Sequence, residues 1–517
     1  MNRAVPQPAE VPPPAVDYAA PGLDSNAAGT SGYRNGIFFI RSPDDVFRLY
    51  VQGRVHVDHY AWLGPGVPQL PPDQALKNGF LLRRARLEMA GEFFQMWQWQ
   101  IGAEFAPSAA DNAGATTGSP SCKVDPVAQT VNCSTIRENA VESPSVKPAP
   151  TDAFVNFAPS PWANLQVGQF FLPFTLENRI SDNASPFLER SLPVRAIGAP
   201  LQRDIGAMVW GEAPDRSIYY AAGIFNGDGP NRPNADGRYD FAARLLVRPF
   251  ARTTTTPSKW TQIGASVHVG SRDATQVGYD MPSMTTQEGF AFWKPTYTDS
   301  AGRLIHIIPS ANQVAVAGDV YVPIEDFDLT AEVIYVDYST REAADGMQLS
   351  QVNLRTGTFK GYGYYAEANY WILGHHDVIG HPSYQRPLHL DISAPQKPPQ
   401  HGLQVLARFE QMHLTYLGAS RAGVSDSKTP NGDIDVDSFT LGINYWATRH
   451  LRVGLNYGYY LFPDSAPTSS SSTGGPVQTA TQRAVAPAQN LAKGVDDSAR
   501  DGGHDVHEVS MRVGVQF

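Results

Sequence analysis

The sequence predicts an all-β fold, a 16-stranded antiparallel transmembrane β-barrel with one loop folded into its lumen. Three observations predict it: strands in which apolar and polar residues alternate, short and long connections that follow one another in turn, and an aromatic residue at the very end of the last strand. No segment approaches the roughly 18 consecutive apolar residues that a membrane-spanning helix needs.

The last strand has the clearest alternation. Every odd position from Val509 to Phe517 is apolar, and every even position from Ser510 to Gln516 is polar or glycine. A period of two gives a strand one apolar and one polar face. A bilayer accepts such a strand only inside a closed barrel, because an open edge would leave backbone groups without hydrogen bonds. A terminal aromatic residue is also typical of outer-membrane barrels.

The same alternation recurs along the chain in segments of about ten residues, the length that crosses a bilayer when a strand is tilted. We predict sixteen strands, near residues 47–60, 79–91, 95–106, 151–159, 164–172, 204–213, 216–226, 239–248, 259–271, 312–323, 326–338, 360–371, 401–416, 435–446, 450–463 and 504–517.

The connections decide which face of the strands is inside. Tight turns are expected at residues 92–94, 160–163, 213–215, 324–325 and 447–449, and long polar loops at 61–78, 107–150, 173–203, 272–311, 339–359 and 464–503. Outer-membrane barrels have this arrangement, with short turns in the periplasm and long loops outside. Both termini should then lie at the short-turn end. The connection 372–400 does not fit, because it is long but falls on the short-turn side. Sixteen strands leave an aqueous lumen, so the polar face should line it.

Residues 1–46 are predicted to be a disordered tail in front of the barrel domain, residues 47–517, because they are rich in Pro, Ala and Gly. An outer-membrane protein needs an export signal, but none is visible in this tail. We therefore expect that the numbering begins after the signal or that the true start differs.

Two cysteines, Cys122 and Cys133, lie in one polar loop. In an oxidising envelope compartment we expect a disulfide between them. Two free thiols are the alternative.

Strand parity assigns the side chains that face the lumen. On the second strand Arg84, Arg86 and Glu88 face inward, whereas Arg83 has the lipid-facing parity and is placed at the rim, where its guanidinium can reach water. The other side chains assigned inward are Arg54, Arg244, Arg248, Arg408, Arg452, Glu104, Glu367 and Glu410. Two interpretations stay open: a cationic track that attracts anions, or a lattice of Arg–Glu pairs that stiffens the wall.

The loop 173–203 interleaves apolar and charged residues, which predicts that it packs on other parts of the protein. In a wide barrel the lumen offers that place. We predict a constriction in which Arg179 or Arg190 approaches Arg54 and Arg84. The carboxylates expected to offset these arginines are Glu88, Glu104 and Glu177. A packed extracellular cap is the alternative.

Two other groups of residues are interpreted as structural. The cluster His375, His376, Asp377 and His381 has metal-binding residue types but no fixed ligand spacing, so we predict solvated histidines and no metal site. Residues 227–229 and 231–234 are predicted turns, because no helix follows that could bind a phosphate. We find no nucleophile motif and no carboxylate pair, and we predict no catalytic residue and no cofactor.

Several segments, in order, resemble the phosphate-selective porin O and P family of Gram-negative outer membranes. They are residues 47–54 (FRLYVQGR), 82–88 (LRRARLE), 167–174 (VGQFFLPF), 188–190 (LER), 440–446 (TLGINYW) and 511–517 (MRVGVQF). The resemblance implies a homotrimeric porin of sixteen strands with anion-binding arginines in its constriction, here Arg54, Arg84 and Arg190.

The sequence departs from the family at two places. Asn178 stands where phosphate-selective members have a lysine after Glu177, and the loop 272–311 has only Arg272, Lys294 and Arg303 where the family has a ladder of arginines. With fewer positive groups, we predict that the constriction attracts anions more weakly.

We expect a multi-pass outer-membrane channel for passive diffusion of small hydrophilic solutes, with a preference for anions such as phosphate or other oxyanions. The barrel-assembly machinery should recognise Phe517. Two alternatives stay open: a sugar-specific channel, with Tyr50, Phe170 and Phe187 along the pore, and an adhesin that binds through loops 107–150 and 464–503. An enzyme is not predicted, and the net charge of -10 argues against nucleic-acid binding.

Overall fold

The computed structural model of the chain describes residues 30–34, 36–63, 78–106, 122–133, 149–199, 202–253, 257–273, 278–282, 284–287, 291–293, 296–298, 303–382, 384, 386–392, 401–419, 431–461 and 505–517.

The described strands, in chain order, are β1 (Ser31–Arg34), β2 (Ile37–Arg41), β3 (Phe47–Leu63), β4 (Gly79–Phe93), β5 (Trp97–Glu104), β6 (Cys122–Asp125), β7 (Thr130–Cys133), β8 (Ala149–Ser160), β9 (Ala163–Phe171), β10 (Arg203–Glu212), β11 (Ile218–Phe225), β12 (Asp240–Val247), β13 (Gln262–Arg272), β14 (Met284–Thr285), β15 (Ala291–Trp293), β16 (Thr296–Thr298), β17 (Leu304–Ile324), β18 (Phe327–Ala343), β19 (Thr356–Leu373), β20 (Gly402–Leu417), β21 (Asn431–Thr448), β22 (Leu451–Leu461) and β23 (Asp505–Gln516). The described helices are α1 (Leu192–Ile197) and α2 (Leu349–Leu354), with 3-10 turns at Glu177–Arg179, Pro257–Trp260 and His376–Val378. Within the described ranges no helix has the length and apolar character to span a bilayer.

Sixteen of these strands form a closed antiparallel barrel. Its wall consists of β3, β4, β5, β8 to β13 and β17 to β23, each paired with the next. The last strand closes the ring on the first, from the pair His507↔Leu63 to Gln516↔Arg54. The predicted closed antiparallel barrel and its sixteen strands are confirmed.

The wall exposes its apolar side chains and buries its polar ones. On β22, Leu451, Val453, Leu455 and Tyr457 are exposed, whereas Arg452 and Asn456 between them are buried. This is the reverse of a soluble barrel and is expected where lipid surrounds the protein and polar groups fill the inside. The predicted orientation of the strands is therefore correct.

Short and long connections alternate as predicted, except that the connections 248–261 (β12 to β13) and 374–401 (β19 to β20) are long although they lie at the short-turn end. Because β21 and β22 are joined by a tight turn at 449–450, β23 ends and β3 begins at the short-turn end. The predicted loop 272–311 is wrong in part: it contains β14 to β16, and β17 begins at Leu304. Ile305, Ile307 and Ile308 are buried in an apolar cluster that also includes Met281, which explains why the strand continues so far.

Strands β1 and β2 (residues 31–34 and 37–41) pair antiparallel with each other, although the sequence predicted a disordered tail up to residue 46. Strand β2 pairs with β3 from Phe38↔Val51 to Arg41↔Arg48, along the part of β3 that β23 does not cover. The alternation of exposed Phe38 and Ile40 with buried Phe39 is a strand signal that the Pro-rich context obscured. Residues 1–29 lie outside the described residues.

The long connection between β19 and β20 crosses the short-turn mouth of the barrel. We call the described residues of 374–392 the strap. The Tyr384 ring stacks on Tyr219 of β11 with 3.5 Å between ring centroids, and the His389 Nδ1 lies 2.9 Å from a carboxylate oxygen of Glu92 on β4. These two strands are far apart in the ring. The strap is long because it spans the mouth, which accounts for the connection that did not fit the sequence pattern.

Cys122 and Cys133 form a disulfide with an S–S distance of 2.07 Å. They are directly opposite each other in the hairpin of β6 and β7. This hairpin contacts two other loops, since Val131 N–H donates to the Met347 carbonyl (2.8 Å) and Cys122 N–H to that of Gly278 (3.2 Å).

Peptide mapping under non-reducing conditions is expected to find Cys122 and Cys133 in one linked fragment. The double variant Cys122→Ser/Cys133→Ser should still form the barrel, because β6 and β7 pair with each other and with none of the described strands of the wall. Its long-loop end should be cleaved faster by protease than that of the wild type. Two thiols that react with an alkylating agent in the untreated wild type would contradict the bond.

Candidate functional site

Among the residues that the structure describes, eleven charged side chains form one connected network of ion pairs, which we call the charged cluster. Its members are Arg54, Asp58, Arg83, Arg84, Arg86, Glu88, Glu104, Asp182, Glu189, Arg190 and Arg512. They come from β3, β4, β5 and β23 and from residues 172–199, which we call the β9–β10 segment. With six arginines and five carboxylates, the cluster has a net charge of +1.

Asp182 is the point where four arginines meet. Its Oδ2 lies 3.2 Å from Arg84 Nε, 3.5 Å from Arg86 Nη1 and 3.6 Å from Arg54 Nη1. Its Oδ1 lies 2.8 Å from Arg190 Nη1. Burial by itself would raise the pKa of Asp182, but the four guanidinium groups outweigh it and hold this pKa well below its usual range. Asp182 therefore stays ionised and offsets part of the positive charge.

Glu189 joins the β9–β10 segment to the wall. Its two oxygens accept a bidentate pair of hydrogen bonds from Arg83, at 3.0 and 2.9 Å. They also accept bonds from Arg84 (3.2 Å) and Arg512 (2.6 Å). Burial opposes ionisation of Glu189, yet these arginines lower its pKa well below the usual range. Bidentate, charge-assisted bonds of this kind are among the strongest in proteins.

Arg83 faces inward, and its predicted position at the lipid-facing rim is wrong. The register of β3 and β4 shifts between the pairs His56↔Arg84 and Val57↔Leu82, so Arg83 is the extra residue of β4 at this point. In such a β-bulge an extra residue interrupts the alternation. Arg83 and Arg84 are therefore buried side by side, at 3% and 1% exposure.

The β9–β10 segment also contacts inward-facing side chains on other strands. Leu176 N–H donates to Glu332 on β18 (2.7 Å), and Leu192 N–H to Glu410 on β20 (2.7 Å). Glu177 lies 3.4 Å from Arg408, also on β20. Apolar side chains of the segment are buried against apolar side chains of the wall; they include Phe174, Leu192, Val194 and Ile197. The segment is thus held by strands on more than one side of the ring.

The structure brings most, but not all, of the predicted site residues together. Arg54, Arg84, Arg86, Arg190, Glu88 and Glu104 belong to the charged cluster. Arg179 does not: it donates to the Phe171 carbonyl (2.7 Å) and lies 3.4 Å from the Tyr219 hydroxyl. Arg244 forms a separate pair with Asp319 at 2.7 Å.

Sequence reasoning missed four members of the cluster. Arg512 and Asp58 share the inward parity of Arg54, so the alternation of their strands could have identified them. Asp182 and Glu189 lie in a segment without regular structure around them, where no periodicity indicates direction.

The aromatic residues predicted for a sugar channel are covered by protein. Tyr50 is fully buried and donates from its hydroxyl to Glu92. Phe170 and Phe187 are 2% and 1% exposed, and the Arg408 guanidinium lies 4.2 Å above the Phe187 ring. These rings offer no free face for a sugar. Most of the loops proposed for an adhesin, 107–121, 134–148 and 464–503, lie outside the described residues.

A cavity of about 140 Å³ lies beside the β9–β10 segment at the long-loop end of the barrel. Its lining includes Leu172 of that segment together with Asp228, Arg232 and Arg272. Burial raises the pKa of Asp228 to about 6, so this group changes charge just below neutral pH. Side chains of both signs therefore line the approach from this end.

The histidines of the strap are not all solvated, in contrast to the prediction. His376 is only 2% exposed and its Nδ1 lies 3.1 Å from Asp328 on β18. His381 is half-buried, while His375 is exposed. The side chain of Asp377 lies outside the described residues. The sequence could not show this, since the partner of His376 is distant in the chain.

Comparison with known proteins finds one matching protein family and several solved β-barrel structures of similar fold. Residues 69–460, more than half of the chain, match the model of the family "phosphate-selective porin O and P". No protein of curated function matches the chain.

Among solved structures, the outer-membrane expressed OmpT of Vibrio cholerae is similar with a TM-score of 0.46 and 9% identity, over 93% of this chain and 100% of that one. The anion-selective porin from Comamonas acidovorans is similar with a TM-score of 0.42 and 8% identity, over 91% and 100%. The outer-membrane channel DcaP of Acinetobacter baumannii has a TM-score of 0.42 and 10% identity, over 91% and 97%.

Proposed function

Because the chain belongs to the phosphate-selective porin O and P family, we propose that this outer-membrane porin admits small hydrophilic solutes by passive diffusion and prefers anions modestly. The observation that carries the proposal is the charged cluster, in which arginines of the barrel wall meet the β9–β10 segment.

The β9–β10 segment forms the constriction of this channel. Its partners Glu332, Glu410 and Arg408 belong to the face of the wall that is opposite to the exposed apolar face. A segment bound to that face on several sides narrows the lumen. Solutes that pass through the barrel then come close to the charged cluster.

The charge of the cluster supports a modest preference for anions. Arginine stays charged at all physiological pH values, and its planar fork matches the oxygens of carboxylates and phosphates. Here, however, five carboxylates already accept hydrogen bonds or ion pairs from the six arginines. The net charge of the cluster is therefore only +1. Such a site attracts anions without holding one kind tightly. Phosphate as the specific substrate does not follow from it.

The double variant Arg54→Ala/Arg84→Ala tests the proposal. It changes the net charge of the cluster from +1 to -1, so the channel should lose its preference for chloride over potassium and come to favour potassium. The reversal potential of single channels in a salt gradient measures this, at low salt where screening is weakest.

The matched control is Arg252→Ala, which removes an arginine with a 74% exposed side chain from the connection between β12 and β13. It should leave the reversal potential unchanged. If the double variant folds and keeps the selectivity of the wild type, the arginines act only as a lattice that stiffens the wall.

The family resemblance further implies a homotrimer, and the position of Phe517 supports recognition by the barrel-assembly machinery. Phe517 is 41% exposed at the short-turn end. Its backbone N–H and carbonyl are both bonded to Gly53, at 3.0 and 2.9 Å, so the terminal residue is presented in extended form.

A further inference from the structure

Three side chains with metal-binding groups converge where the strap leaves the wall. The His376 Nδ1 lies 3.1 Å from Asp328 Oδ2. The rings of His376 and His381 are 4.7 Å apart. One ligand atom from each of the three residues lies within 4.8 Å of the other two. Two imidazoles and a carboxylate thus surround one point, with two of the three residues buried.

Hydrogen bonds hold both imidazoles in the orientation that a metal requires. The Nε2 of His376 lies 2.5 Å from the Glu325 carbonyl, which can only accept, so Nε2 carries a proton and the lone pair of a neutral ring lies on Nδ1. Metal-binding histidines commonly donate their other N–H to a backbone carbonyl in this way.

The hydroxyl of Tyr321 orients the other two ligands. It donates to Asp328 Oδ1 (2.5 Å) and lies 2.8 Å from His381 Nδ1. Because its proton is used in the bond to Asp328, the hydroxyl accepts from His381 Nδ1–H. The lone pair of the neutral His381 ring is then on Nε2.

We propose that Asp328, His376 and His381 bind one divalent transition-metal ion of the zinc class. Zinc favours imidazole nitrogen and carboxylate oxygen at about 2.0–2.2 Å, which corresponds to ligand atoms roughly 3.3 Å apart in a tetrahedron. The 3.1 Å contact meets this spacing, and small side-chain movements would bring in the third ligand. The ion would connect the strap to β18. The proposal is independent of the selectivity of the channel.

Metal binding is tested on the full-length chain, refolded in detergent without a polyhistidine tag, because a tag would itself bind zinc. Calorimetric titration with Zn²⁺ should show one saturable site. Titration with Co²⁺ should give the visible absorption of tetrahedral cobalt, and Zn²⁺ should abolish it. His376→Ala and His381→Ala should each weaken binding by at least about tenfold.

The matched control is His413→Ala, which removes another histidine that contacts a carboxylate, Asp435, at the long-loop end. It should bind Zn²⁺ like the wild type. Because His376 is buried and its alanine variant could fail to fold, His381→Gln is included, and the mobility of heated and unheated samples in gels checks for a folded barrel. Absence of a saturable site in the wild type, or equal binding by folded His381→Gln, would overturn the proposal and leave an ordinary His–Asp ion pair.

Discussion

Replacing Glu189 by alanine is expected to release the β9–β10 segment from one side of the wall and to raise the single-channel conductance several-fold. Glu189 is the shared acceptor of Arg83, Arg84 and Arg512, all at most 3% exposed. Its removal leaves buried guanidinium groups close together without this carboxylate. Loss of one partner from a buried ion pair costs roughly 3–5 kcal/mol, which favours a state in which the segment moves away and water enters.

Planar-bilayer recordings of Glu189→Ala measure the conductance, and limited proteolysis measures the release of the segment. Asp435→Ala is the matched control, because it removes a carboxylate from a half-exposed pair with His413, and such pairs contribute only about 0–1 kcal/mol. An unchanged conductance in a folded Glu189→Ala barrel would show that the segment does not limit the flow.

Replacing Asp182 by asparagine is expected to strengthen the preference for anions. The substitution keeps the size of the side chain but raises the net charge of the cluster from +1 to +2 and leaves Arg54, Arg84, Arg86 and Arg190 without their common carboxylate. The reversal potential in a salt gradient should shift further in the anion direction. A shift toward cations would contradict the assignment of this cluster to the path of the ions.

The effect of Asp182 should persist in acid. Its pKa in the folded protein lies well below the usual value near 4. The ion pairs of Asp182 therefore contribute fully above about pH 4 and are lost only when the pH falls through the lowered pKa. The difference in reversal potential between wild type and Asp182→Asn should be the same at pH 7 and at about pH 4. A difference that falls to about half on acidification to pH 4 would show that Asp182 titrates near its ordinary pKa, as a solvated carboxyl does.

The direction of the side chains in the barrel wall could be predicted from the alternation of residues along each strand. Residues such as Arg54, Arg86 and Glu104 lie on regular strands, where a period of two fixes the direction of every side chain. Arg83 is the exception that shows the limit of this rule, since one extra residue in a bulge reverses the parity. No feature of the sequence around Arg83 indicated the bulge.

The contacts between distant segments could not be predicted. Glu189 meets Arg512, more than 300 residues away, and His376 meets Asp328 on another strand. Such contacts depend on how the β9–β10 segment and the strap fold back onto the barrel, and alternation within a strand contains no information about that. The composition of the β9–β10 segment did indicate that it packs against other parts of the protein, because apolar and charged residues alternate irregularly from Phe174 to Arg190.

The ion selectivity of the wild-type channel tests the central claim most directly. Reversal potentials of single channels are measured in potassium chloride gradients at about 10 mM and about 1 M salt, where the Debye length is roughly 30 Å and 3 Å. A charged cluster of net +1 in the path of the ions predicts a chloride preference at low salt that becomes smaller at high salt. A potassium preference at low salt, or a barrel that inserts into the bilayer but conducts no ions, would contradict it.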